Sequence, residues 1–204
     1  MGNWKKNLGI GAAVFGALLV VFLVVVALQP NDYRVTRSAT MNAAPATVFA
    51  EVNDFHRWEA WSPWAKLDPN AKATFEGPEA GEGAKFSWSG NDKVGAGTQT
   101  IVESKPDERV HFRLDFEKPM KDTCDADFTF KPQGDQTLVT WSMWGKKNFA
   151  GKAFCLFMDM DKYLGGEFEK GLASLKGIVE KPGEATPAAP SASESGDTKA
   201  KTES

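Results

Sequence analysis

Histidine and cysteine are scarce in this chain of 204 residues, two of each. So few leave neither a disulfide scaffold nor a Cys-rich zinc module its ligands. An excess of positive charge is missing as well: 24 Lys and Arg stand against 27 Asp and Glu, for a formal net charge of −3. Nothing in that balance suits a nucleic acid. Phosphate-cradling loops are absent, since Gly81-Glu82-Gly83 and Gly95-Ala96-Gly97 are turn glycines with no helix behind them. Catalytic patterns are thin too. His56 and His111 stand in no nucleophile pattern, and Asp125 and Asp127 share the polar side of a strand, where a solvated pair is expected rather than an acid–base dyad. Asp159 and Asp161 lack the further oxygen ligands of a calcium loop. The expectation is a chain with no metal site, no cofactor and no nucleic-acid partner.

What the chain does have is one long apolar run. Between Leu8 and Leu28 no side chain is charged or strongly polar. As a helix the run rises about 31 Å, the thickness of a bilayer core of about 30 Å. A secretory signal peptide competes with a spanning helix here, because Lys5 and Lys6 precede the run and Val25-Val26-Ala27 resembles a cleavage site. The apolar region of a signal peptide is shorter, about 7–15 residues, so the length favours an uncleaved, single-pass anchor over 8–28. Lys5 and Lys6 sit directly before the span, whereas Arg34 and Arg37 follow it beside Asp32. This asymmetry places residues 1–7 in the cytoplasm and the remainder on the extracytoplasmic, periplasmic side. Gly9, Ala13, Gly16 and Ala17 put small residues at helical spacing, the pattern through which two spanning helices form a homodimer.

At the other end, residues 182–204 are rich in Pro, Ala, Ser and Thr and hold no aromatic residue. Such a tail cannot bury enough apolar surface to offset its ordering entropy and is expected to be disordered. With a short linker at 29–33, one domain of ordinary size remains at 34–181.

Within that domain the hydrophobic period changes twice. Pro45 suits the first turn of a helix, and Val48, Phe49 and Val52 repeat at helical spacing after it. Trp58 and Trp61 share a helical face before Pro63 ends the run. From Lys72 to Lys146 the period is two: Phe86 and Trp88, then Val110, Phe112, Leu114 and Phe116, then Cys124, Ala126, Phe128 and Phe130, then Val139, Trp141 and Met143, each set alternating with polar residues. Turn signals such as Gly90-Asn91-Asp92 and Gly134-Asp135 separate these runs, so about six antiparallel strands form a meander. A closing helix from about Leu164 to Glu180 carries Phe168, Leu172, Leu175 and Val179 on one stripe. The fold class is α+β, a curved antiparallel sheet wrapped around a long C-terminal helix and preceded by one transmembrane helix.

This order resembles the SRPBCC superfamily, the helix-grip domains that include START-like lipid carriers and polyketide cyclase-like proteins. The resemblance rests on Asn42-Ala43-Ala44-Pro45 with Val48-Phe49, on Asp54-Phe55 with Trp58, Trp61, Pro63 and Trp64, and on the closing helix from Gly166 to Lys176. It implies a seven-stranded sheet gripping the last helix, with an apolar cavity between them that takes lipids or other hydrophobic molecules. It implies no reaction, because the superfamily mixes carriers, sensors and enzymes.

Inward aromatic rings either fill a core or line such a cavity; the resemblance favours a cavity. Its expected lining is Trp61, Phe86, Trp88, Phe112, Phe116, Phe128, Trp141, Met143 and Phe168, with Phe154, Phe157 and Met158 from an apolar segment, Lys146 to Asp161, that gates it. The alternatives for that segment are a short helix packed on the core and a contact with the bilayer. Cys124 faces inward, and two separate thiols are favoured over a Cys124–Cys155 disulfide. Membrane-anchored binding of a hydrophobic small molecule or lipid is therefore the expected function. One alternative is a polyketide cyclase-like or hydrolase-like enzyme using Arg37, Thr98, Thr100 or Asp115. The other is a protein-interaction scaffold with a filled core and an apolar patch near Trp144 and Phe149.

Overall fold

A computed structural model describes residues 3–181 except residue 69. The tail expected at 182–204 lies outside the described residues. Helix α1 runs over Asn3–Leu28, five residues further upstream than the apolar run itself. Among the described residues it is the one helix long and apolar enough to cross a membrane, a property it shares with signal sequences. One residue of its apolar run, Val26, is fully buried.

The chain leaves α1 at once. Gln29 donates its backbone N–H to the Val26 carbonyl, and strand β1 (Asp32–Met41) starts three residues later. Helix α2 (Pro45–Asn53) follows, with Pro45 in its first turn. Asp54 then accepts from the His56 N–H to start a single 3₁₀ turn at Phe55–Arg57, which leads into the one-turn helix α3 (Trp58–Trp61). Six strands come next: β2 (Lys72–Glu76), β3 (Lys85–Ser89), β4 (Ala96–Lys105), β5 (Arg109–Lys118), β6 (Asp122–Gln133) and β7 (Gln136–Lys146). Helix α4 (Phe149–Cys155) and the long helix α5 (Met160–Val179) complete the chain. Helix α5 begins four residues before the apolar stripe would place it, because Asp159 caps it by accepting from the Lys162 N–H.

All seven strands form one antiparallel sheet in the order β1-β7-β6-β5-β4-β3-β2. The hairpin meander from β2 to β7 brings the first strand against the last, as a grip around α5 requires. Period-two alternation sets one face against α5 and the other towards solvent. The outer face is tied by short polar contacts: Thr36 to Ser142, Ser38 to Thr140, Arg109 to Asp127 and Glu103, and His111 to Asp125 at 3.0 Å. Asp125 and Asp127 thus bond to different residues, His111 and Arg109, and form no dyad.

Register divides the inner face into two ends. At the far end β1 finishes, β7 begins, and α2 and α3 lie across the sheet; Met41 pairs with Thr137 there. At the near end β1 leaves α1 and β7 passes into α4, with Tyr33 opposite Gly145. Lys147 donates its N–H to the Asn31 carbonyl at 2.7 Å and fastens the two chain segments together at this end.

Candidate functional site

At the far end the rings pack on one another. Trp141 lies flat on Phe168 of α5, with centroids 4.2 Å apart and an 8° tilt, and it stacks on Phe128 at 4.6 Å. Trp58 and Trp61 meet at 4.6 Å and turn their edges towards Phe112, Phe128 and Trp141. Each indole N–H is spent on backbone: Trp58 donates to the Val52 carbonyl at 2.9 Å and Trp61 to that of Glu51 at 3.3 Å. All of these core rings are buried. A Cβ on Gly171 would come within 2.8 Å of the Trp141 ring, so glycine lets α5 settle onto the indole.

The near rows differ. Across the sheet they carry Tyr33, Cys124, Leu114, Gln99 and Phe86, then Phe116, Gly97 and Trp88. Here every ring is half-exposed. Phe86 stacks on Trp88 at 6.0 Å, and Phe116 meets the Trp88 edge at 5.8 Å. Phe55 from the 3₁₀ turn reaches Phe86 at 6.0 Å, but Trp88 and Phe116 meet no ring from outside the sheet. Gln99 sits between Leu114 and Phe86 in register and is 7% exposed, which places one amide on an otherwise apolar surface. Burial and the neighbouring thiol push the Tyr33 hydroxyl well above its ordinary value. Burial likewise pushes the Cys124 thiol up to about 12. Both stay protonated at neutral pH and serve as uncharged wall. Two open surface grooves lie at this end, about 690 Å³ around the β5–β6 hairpin from Asp115 to Thr123 and about 640 Å³ around Tyr33, Thr123 and Trp144.

Helix α5 is held differently at its two ends. Towards the far end Phe168, Leu172 and Leu175 are buried. Towards the near end Arg37 crosses beneath Gly165, where a side chain would collide with the guanidinium. Arg37 donates to Asp161 at 3.0 Å and to Glu169 at 2.8 Å. These bonds hold the Asp161 carboxyl below the ordinary carboxylate range, with hydrogen bonding to Arg37 the main cause.

Of the twelve residues expected to line a cavity, Trp61, Phe112, Phe128, Trp141, Met143 and Phe168 belong to buried core, and Phe86, Trp88 and Phe116 to the half-exposed near rows. Phe154, Phe157 and Met158 lie on α4 and the turn after it, exposed on the side of α1. Sequence reading missed Tyr33, Leu114 and Gln99. In β4 the inward residues are Gln99 and Ile101, so the expected polar candidates Thr98 and Thr100 fall on the opposite face. Among the four polar residues considered for catalysis, Thr98 bonds Ser87 and Asp115 bonds Thr123 on the outer face, and Thr100 faces Lys85 and Arg113 in register. Arg37 alone reaches α5, and two carboxylates neutralise it. Both cysteines are free thiols. Among the described residues no three His, Cys, Asp or Glu side chains converge as metal ligands do. Trp144 is flanked by the Arg34 guanidinium, 4.4 Å from its ring centre, and by His111, so it forms no bare patch.

Residues 32–180 match the polyketide cyclase / dehydrase and lipid transport family. No curated protein sequence matches the chain. Several solved structures share its fold. A protein from Chromobacterium violaceum superposes with a TM-score of 0.53 at 16% identity, covering 75% of this chain and 99% of its own. The Aha1 dimer from Colwellia psychrerythraea gives 0.52 at 14%, over 72% of this chain and 96% of that one. CalU16 from Micromonospora echinospora gives 0.50 at 15%, over 76% and 86%. At such identities the likeness concerns the fold alone.

Proposed function

Because the chain belongs to the polyketide cyclase / dehydrase and lipid transport family, we propose that it is a membrane-anchored helix-grip domain that binds a hydrophobic small molecule or lipid, held by α1 with the domain outside the cytoplasm. The occupant enters at the near end of the grip, between β3–β6 and the start of α5. One observation carries this reading. A single apolar sheet face is closed by stacked rings at the far end and left with half-exposed rings, Phe86, Trp88 and Phe116, at the near end. Half-exposed aromatic surface beside one buried amide, Gln99, suits an apolar body with a single polar group. The expected gate, Lys146 to Asp161, contains α4 and the first two residues of α5 and so runs up to the start of that helix.

Native mass spectrometry of the full chain released from a mild detergent tests the reading, together with displacement of an apolar fluorescent dye. A lipid-sized adduct and saturable dye uptake are expected, both lost in Phe116→Asp with unfolding unchanged. A chain that carries no adduct and takes up no dye overturns the proposal. The tightly stacked far end favours a second reading, the interaction scaffold, and that outcome is the one it predicts.

A further inference from the structure

We propose that the segment from Phe149 to Met158 lies in the lipid of the same bilayer leaflet as the C-terminal end of α1, as an interfacial helix docked on the anchor. The inference rests on the reading of α1 as a spanning helix.

Three observations converge. The first is composition against exposure. Phe149 is 51% exposed, Phe154 49% and Phe157 82%, and Leu156 and Met158 are open as well. A run of large apolar side chains facing outward is a liability in water and ordinary in lipid. The second is the fate of the one charge in the segment. Lys152 is buried, and its ammonium donates to the Ala27 carbonyl at 3.3 Å. A cation there meets the negative end of the α1 dipole and satisfies one of the carbonyls left open by the last turn. The segment therefore sends no charge towards the surface its phenylalanines face.

The third observation is depth. The Phe157 ring stands 6.3 Å from that of Phe22, on α1. Phe22 precedes the helix end at Leu28 by a little under two turns, about 9 Å along the axis. An anchor over 8–28 fills a bilayer core of about 30 Å, so Phe157 is held below the level where the chain emerges. About 9 Å also matches the insertion depth of surface-lying amphipathic helices, about 5–10 Å. Continuity with α1 thus selects lipid as the occupant of this face over a soluble partner. The near end of the grip then opens beside the leaflet, and an apolar guest moves between bilayer and protein without crossing water.

The test uses the full chain with Cys155→Ser, in phosphatidylcholine vesicles, carrying an environment-sensitive fluorophore on one introduced cysteine. Three positions are labelled in turn: Phe22→Cys on the anchor, Phe157→Cys on the segment and Asp135→Cys at the far end. Quenchers are nitroxide-labelled phosphatidylcholine from the lipid side and iodide from the water. The expected result is that labels at 22 and 157 are both quenched by nitroxide lipid, with iodide quenching several-fold below that at 135. A label at 157 that iodide reaches and lipid does not, with 22 still quenched by lipid, overturns the proposal and leaves the anchor standing. Protection of 157 from both quenchers overturns it in favour of a protein partner, a second copy of the chain included. Loss of lipid quenching at 22 as well overturns the anchor itself.

Discussion

The far and near ends of the inner sheet face are built from the same strands by the same alternation, yet one is a core and the other a surface. Trp141 and Phe128 at one end, Trp88 and Phe116 at the other, are large rings that period two directs inward. What separates them is cover. The 3₁₀ turn and α3 bring Phe55, Trp58 and Trp61 onto the far rows, and rings meet rings from 4.2 Å upward. Of these only Phe55 touches the near rows, meeting Phe86 at 6.0 Å, while Trp88 and Phe116 meet rings of the sheet alone. An inward-facing aromatic on a curved sheet is therefore only half an instruction; a second element decides whether the ring becomes core or wall.

Paired truncations give the largest test of this contrast. Trp141→Ala empties a site packed on Phe128 and Phe168 and is expected to cost about 3–5 kcal/mol. Trp88→Ala removes a partly exposed ring, with its indole bond to the Val94 carbonyl, and is expected to cost about 1–2 kcal/mol. Thermal unfolding of the full chain in detergent, followed by near-ultraviolet circular dichroism, reads both. Equal losses would mean that the near end is packed as tightly as the far end.

A smaller effect separates the two halves of α5. Its near half depends on Arg37 with Asp161 and Glu169, its far half on buried Phe168, Leu172 and Leu175. Because the fold holds the Asp161 carboxyl below its ordinary value, its contribution is complete above the ordinary carboxylate pKa of about 4 and disappears as pH falls through the lowered one. Asp161→Asn should speed amide exchange in the first turns of α5 at neutral pH and leave the last turns unchanged. The difference between variant and parent should close in acid. Uniform acceleration along α5 would contradict separate anchoring.

The smallest expected signal is chemical. Cys124 is buried against Tyr33 in the near rows with its thiol pushed up to about 12, whereas Cys155 on α4 is half-exposed. Alkylation with a membrane-permeant maleimide at pH 8 without denaturant should add one group per chain, on Cys155, as counted by intact mass, since Cys124 is buried and held as the unreactive thiol. Two groups would show that the near end opens down to its floor.

Much of this architecture could be read from residues one at a time. The change from helical to period-two spacing marked the strands, the Gly-Asn-Asp and Gly-Asp turns marked the hairpins, and the stripe through Phe168, Leu172 and Leu175 marked the closing helix. The candidate site was less legible. Alternation reports which side a ring faces and carries no information on how far away the opposite wall stands. That is why one expected lining merged Trp141 with Trp88. Arg37 and Glu169 stand 132 positions apart, and no local pattern announces their ion pair. Asp159 and Asp161 are neighbours in sequence, the spacing of calcium ligands, yet in the fold one caps a helix and the other holds an arginine.

By itself, then, the sequence determined the apolar length of α1, the two-faced strands, the amphipathic closing helix and their order, because each follows from hydrophobic period and backbone restriction over a few residues. Only the tertiary structure decided which rings are covered, that Arg37 pins α5 through Gly165, and that Lys152 and Phe157 reach Ala27 and Phe22. Those outcomes depend on distances between segments far apart in the chain, fixed by the closure of β1 onto β7 and by the packing of whole elements.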